Sequence, residues 1–86
     1  MSSVAVMGDI DTVSGFRLSG VKKAEVVTTS EEAIVAFDKF LDDEISIIII
    51  TQLMANEIRD HINRKIGSSV LPMIIRSSNR ADKDAS

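Results

Sequence analysis

Ile45-Ser46-Ile47-Ile48-Ile49-Ile50-Thr51 is an isoleucine run, β-branched and apolar but for one serine and the closing threonine, with no polar alternation. A strand with one wet face alternates apolar and polar residues, so an unbroken run marks a strand covered on both faces, as parallel strands between helices are. The run therefore predicts the central strand of a parallel sheet. Immediately upstream, Thr29-Ser30-Glu31-Glu32 is a capping box, in which the threonine hydroxyl and a glutamate carboxylate each satisfy a free backbone donor. Ala33, Ile34, Phe37, Phe40 and Leu41 then recur at spacings of three and four, giving an amphipathic helix with Glu32, Asp38, Lys39 and Asp42 toward water. Downstream, Thr51 is the predicted cap of a helix reaching about Lys65, with Met54, Ile58, Ile62 and Ile66 as its stripe and Gly67 as its stop. Leu71 to Ile75 reads as a further strand. Pro72 begins it, a position that suits a strand start or edge because proline donates nothing to a ladder.

Toward the amino terminus, Val4 to Met7 and Ala24 to Val27 are strand candidates. Between them Asp11 or Thr12 is expected to cap a helix that runs to about Ser19, closed by Gly20 in a left-handed conformation. Gly8 would permit a tight strand exit, and Gly15 would let the helix approach the sheet. Strand and helix alternate throughout, so right-handed crossovers predict an α/β fold. The sheet is parallel and four-stranded, in the order 2-1-3-4, with a flavodoxin-like or receiver-like three-layer arrangement. One globular domain is expected over 1–76, with a polar, flexible tail over 77–86. In this topology the first helix lies alone on its face, so that face needs another helix, which the sequence does not supply. Either a partner covers the bare face or the chain is cut short of its natural end, and the missing cover favours the second. The isolated domain is accordingly expected to associate with itself through that surface.

Eighty-six residues make one small domain of marginal stability. The net charge is -3, with nine acids and four Lys/Arg in residues 1–50 against four acids and six Lys/Arg in 51–86. That balance lacks the basic footprint of a nucleic-acid binder, and Phe16, Phe37 and Phe40 are the only aromatic residues available for stacking. With no cysteine there is no disulfide, thiolate metal site or cysteine nucleophile, and a cytoplasmic setting is the default expectation. The apolar run at 45–50 is far below the roughly 20 residues needed to span a bilayer.

Sites of chemistry are sparse. Asp9 and Asp11 at the end of the first strand stand where parallel sheets bind ligands, and two carboxylates there could hold magnesium as in a receiver domain. The phosphoacceptor aspartate of such a domain is replaced by Ile50-Thr51, however, and the simpler role of both acids is helix capping. The glycines match neither the dinucleotide fingerprint nor the phosphate loop. A flavodoxin-type ligand module would need a phosphate loop and flanking aromatics, for which Val21-Lys22-Lys23 and Thr28-Thr29-Ser30 are too ordinary. His61 has only Glu57 one turn away, so it is read as a solvent-facing histidine and no metal or cofactor is expected. A single histidine also leaves no nucleophile, base and acid set, so the chain is not read as an enzyme.

Met7-Gly8-Asp9-Ile10-Asp11-Thr12-Val13-Ser14-Gly15-Phe16-Arg17-Leu18-Ser19-Gly20-Val21 resembles the amino-terminal motif of the F subunit of the archaeal and vacuolar-type (A-type/V-type) rotary ATPases. That motif runs strand, Gly-Asp, x, Asp-Thr-Val, x, Gly-Phe-Arg-Leu, small, Gly-Val, and every patterned position is filled. The resemblance extends over residues 4 to about 76. It implies a non-catalytic central-stalk subunit that binds the coiled coil of the D subunit and turns inside the ring of catalytic A and B subunits. Such a subunit couples rotation to ATP synthesis or hydrolysis and ion transport, peripheral to the membrane. Family members continue into a terminal helix associated with contact to the nucleotide-binding subunits, and the sequence here departs from that pattern. Partner contacts are expected from Arg17, Lys22 and Lys23, and from Asp42, Asp43 and Glu44, whose acids crowd a helix end where the macrodipole disfavours them.

Overall fold

The computed structural model describes residues 3–67 and 72–77. Four strands, β1 (Val4–Gly8), β2 (Lys23–Val26), β3 (Ile47–Thr51) and β4 (Met73–Ser77), form one parallel sheet in the order β2-β1-β3-β4. Helices α1 (Ile10–Leu18), α2 (Ser30–Asp42), α3 (Gln52–Glu57) and α4 (Arg59–Ile66) connect them. The expected class and strand order are both present.

Register sorts the sheet's side chains. Because parallel neighbours share a face, Ala5 lies beside Ile48 and Met7 beside Ile50. All four are fully buried, in one cluster with Phe37 and Phe40 of α2 and with Met54, Ala55, Ile58 and Ile62 from the α3–α4 segment. On the opposite face Val6 and Ile49 are neighbours, and α1 packs on this side against β1 and β2, burying Val13. The core is therefore lopsided, thick under α2, α3 and α4 and thin under α1.

The helix ends explain most of the local geometry. Asp9, with an extended backbone, caps α1: its carboxylate accepts from the Thr12 N–H at 3.3 Å and from the Thr12 hydroxyl at 2.7 Å. The cap thus lies two residues before Asp11. At the other end the Gly20 N–H donates to Arg17 O and the Val21 N–H to Phe16 O, the paired bonds of a Schellman stop, with Gly20 at φ 108° as anticipated. Thr29 caps α2 as expected, but Glu32 reaches past it to the Thr28 N–H (2.7 Å) and hydroxyl (2.9 Å). Thr51 caps α3 through a bond from the Met54 N–H.

Several boundaries differ from the sequence reading, β3 among them, which begins at Ile47 and not at Ile45. β2 begins one residue early, at Lys23, although the Val27 N–H still bonds Gly8 O at 2.9 Å. The single helix expected from Thr51 to Lys65 is two, broken at Ile58 (φ -116°, ψ 25°). The break keeps the Ile58 N–H on Met54 O and the Ile62 N–H on Ile58 O, and Ile58 stays buried. β4 starts two residues late, at Met73, whose N–H donates to Ser46 O at 2.8 Å; Pro72 sits just ahead of it, and Leu71 lies outside the described residues. Of the tail expected over 77–86, Ser77 ends β4 and the rest lies outside the described residues. Gly15 is also corrected: a Cβ there would meet nothing within 4 Å, so close helix approach is not its role.

Candidate functional site

Open α/β sheets bind ligands beyond the carboxyl ends of the strands, where the strand order reverses. Here that point lies between β1 and β3. A Cβ on Gly8 would stand 2.6 Å from Thr51 Cγ2, so the two strand ends touch through the threonine methyl. The Thr51 hydroxyl is committed to the α3 cap and Asp9 to the α1 cap. The Asp9 carboxyl is held below its ordinary value of 3.8, first by the Thr12 hydroxyl, which stabilises the anion. No group of three or more metal-ligating side chains occurs among the described residues.

His61 is not solvent-facing. Its side chain is 15% exposed, its Nε2 lies 2.8 Å from Asp38 Oδ1, and its ring meets Phe37 edge-on at 6.0 Å. Asp38, expected in water, is half-buried by this pairing and ties α2 to α4. The contact spans two helices, which explains why no local pattern announced it.

The surfaces are more informative. On the α1 side of the sheet Ile47 pairs with Met73 and Ile49 with Ile75. α1 covers β1 and β2, leaving Met73 at 56% and Ile75 at 42% exposure, with Ile47 and Val4 half-buried beside them. Leu18, at the end of α1, is 91% exposed. A second surface lies at the opposite edge, a groove of about 460 Å³ between β2 and α2, lined by Glu25, Val26, Val27, Glu31, Glu32, Val35, Ala36 and Lys39.

The six charged residues expected at an interface do not form one patch. Lys23 and Asp43 meet at 3.6 Å where the start of β2 faces the end of α2, and Asp42 and Glu44 adjoin them, both exposed. Glu44 occupies a left-handed position (φ 59°), donating its N–H to Leu41 O. Lys22 lines a groove of about 430 Å³ with Val4, Gly20 and Val21. Arg17 is exposed on α1, across the sheet from α2. Sequence reasoning anticipated a bare face from the helix count, but Met73 and Ile75 could be assigned to it only from the register.

With this geometry in hand, three comparisons agree. Residues 4–85 match the family model described as ATP synthase (F/14-kDa) subunit. The F subunit of the A-type ATP synthase of Methanothermobacter thermautotrophicus is 47% identical over 74 residues, 86% of this chain and 70% of that protein. Its counterpart in Methanosphaera stadtmanae is 46% identical over the same 86% and 70%. The crystal structure of the F subunit of the V-type ATP synthase from Archaeoglobus fulgidus superposes with a TM-score of 0.76 at 28% identity, covering 88% of this chain and 96% of that one. A family match across nearly the whole chain, relatives close to half identical and the same fold in a solved member lead to one conclusion: the chain belongs to the family of the ATP synthase (F/14-kDa) subunit.

Proposed function

We propose that this chain is a non-catalytic rotor subunit of an A-type/V-type ATP synthase, seated on the coiled coil of the D subunit in the central stalk. It turns with that coiled coil inside the ring of catalytic A and B subunits and couples rotation to ATP synthesis or hydrolysis and ion transport. The observation that carries this reading is the uncovered half of the α1 face, marked by Met73 and Ile75. A parallel sheet is stable when both its faces are dry. Two strands at a spacing of about 4.8 Å leave a strip about 10 Å wide, the diameter of one α-helix. One helix of a coiled coil fits that strip, and Arg17 and Leu18, exposed on the α1 that covers the other half of this face, offer it a cation and an apolar contact.

The same features argue against chemistry within the chain. Where related topologies hold ligands the ends of β1 and β3 are in close contact through the Thr51 methyl, and the one histidine is engaged with Asp38 and Phe37. Torque, on this reading, passes through packed surface and needs no pocket.

Co-expression with the D subunit of the same organism, followed by calorimetry, tests it. The expected result is a one-to-one complex that is lost when Met73→Asp and Ile75→Lys are combined, with the variant's circular dichroism unchanged. A folded wild-type chain that does not bind the D subunit overturns the assignment.

A further inference from the structure

The β2–α2 groove lies at the opposite edge of the sheet from Met73 and Ile75, so its role is separate from the seat proposed for the D subunit. Its floor is apolar, made by Val26, Val27, Val35 and Ala36. Val35 is 68% exposed in the middle of α2. A β-branched residue gains nothing there from helix propensity, so helix formation does not account for its presence.

Charge along the groove is ordered. At one end Lys39 is bound to Glu25 at 3.1 Å, a pair that neutralises itself. At the other end Glu32 accepts from neutral donors, chiefly the Thr28 N–H and hydroxyl, which hold its carboxyl below the ordinary 4.5, so it remains an anion. Glu31 beside it is exposed, and its side chain makes no hydrogen bond or ion pair with another described residue. Three carboxylates thus face one ammonium, and the surplus lies at the amino end of α2. Acids in a first helical turn favour the helix dipole, which accounts for the two glutamates alone but not for the exposed valine one turn on.

We infer that the β2–α2 groove is a second docking surface, which takes a cationic amphipathic helix of a neighbouring subunit of the same complex. An aliphatic side chain of that helix would sit on Val35 and Val26, and a Lys or Arg one turn away would face Glu31. The occupant's chemistry follows from complementarity: an acidic helix would meet Glu31 and Glu32 head-on, and a wholly polar one would leave Val35 wet.

The chain contains no cysteine, so single-cysteine variants report on one site each. Val35→Cys and, independently, Glu31→Cys are assembled into the whole synthase and labelled with a maleimide. The same variants are labelled as free chains, with Asn63→Cys on exposed α4 as the reference position. Labelling at 35 and 31 slows by about tenfold or more on assembly, relative to position 63, if a helix covers the groove. Equal rates in the free and assembled states at both positions overturn the inference. Cross-linking through the thiol of the Val35→Cys variant then identifies the neighbour. A cross-link to a basic segment outside the D subunit supports both readings, and one to the D subunit keeps the groove but assigns it to the stalk. A cross-link only to an acidic segment overturns the chemistry inferred for the occupant. Failure of the free chain to bind the D subunit leaves this outcome unaffected, so the two proposals fail separately.

Discussion

Gly8 and Thr51 are in contact across the ends of β1 and β3: the methyl of Thr51 fills the space that a side chain at Gly8 would need, 2.6 Å from the position of its Cβ. Thr51 cannot swing away without losing its hydroxyl from the α3 cap. The requirement for glycine is therefore one of space and not of backbone angle. Gly8→Ala is expected to destabilise the fold by about 1–3 kcal/mol through overpacking. Thr51→Ser removes the methyl and keeps the cap, so in the Gly8→Ala background it should recover part of that loss, with a coupling of about 1–2 kcal/mol in a double-mutant cycle. Urea midpoints for the four proteins measure it, and additive losses would show that the methyl is not the obstacle.

Glu44 ends α2 in the left-handed conformation that glycine ordinarily supplies, with the Glu44 N–H on Leu41 O and the Ile45 N–H on Phe40 O. An L-residue there is strained, whereas glycine loses more entropy on folding, so Glu44→Gly should stabilise by about 0.5–1 kcal/mol net. Thermal unfolding checks this. If Glu44 is also used by a partner, the variant will be more stable alone and bind more weakly.

The Glu32 carboxyl lies below its ordinary 4.5 because the Thr28 N–H and hydroxyl bind its anionic form. A depressed folded value means that the bond's contribution is present above about pH 4.5 and is lost as pH falls through the folded value. Glu32→Gln should therefore cost stability at pH 7 and flatten the acid limb of the stability curve. Equal acid sensitivity in both proteins would exclude Glu32 as a source of it.

His61 and Asp38 hold α4 to α2 while the imidazole edge contacts Phe37. His61→Ala should cost about 1–2 kcal/mol, from one hydrogen bond and one aromatic contact. Asp38→Ala in that background should cost much less than it does alone. Independent losses would mean that the two side chains do not act as a pair.

What the sequence disclosed and what it hid divide by range. Thr29, Thr51 and Gly20 act within four residues of their own positions, and each performs the capping role read from its neighbours. The isoleucine run forms the interior strand because its composition alone requires two dry faces. Where several residues competed for one task, local reading chose wrongly: Asp9, Asp11 and Thr12 all suit a cap, and the extended backbone at Asp9 decides it. The break at Ile58 has no proline or glycine to announce it. Long-range pairs were invisible, among them His61 with Asp38 and the methyl of Thr51 over Gly8. Lys23 and Asp43, far apart in the sequence, likewise face each other only in the fold.

Met73 and Ile75, bare on the β4 edge of the sheet, are surface that a partner's cover would turn into stability. Any partner that binds the native form and not the unfolded one adds RT ln(1 + [L]/Kd) to stability, about 2.7 kcal/mol when its concentration is a hundred times Kd. For a domain of this size such an increment is a large fraction of the whole. If a partner covers these residues, copies made in excess of it would unfold more often and reach proteases first, so the free pool would be kept low by thermodynamics, without a dedicated regulator.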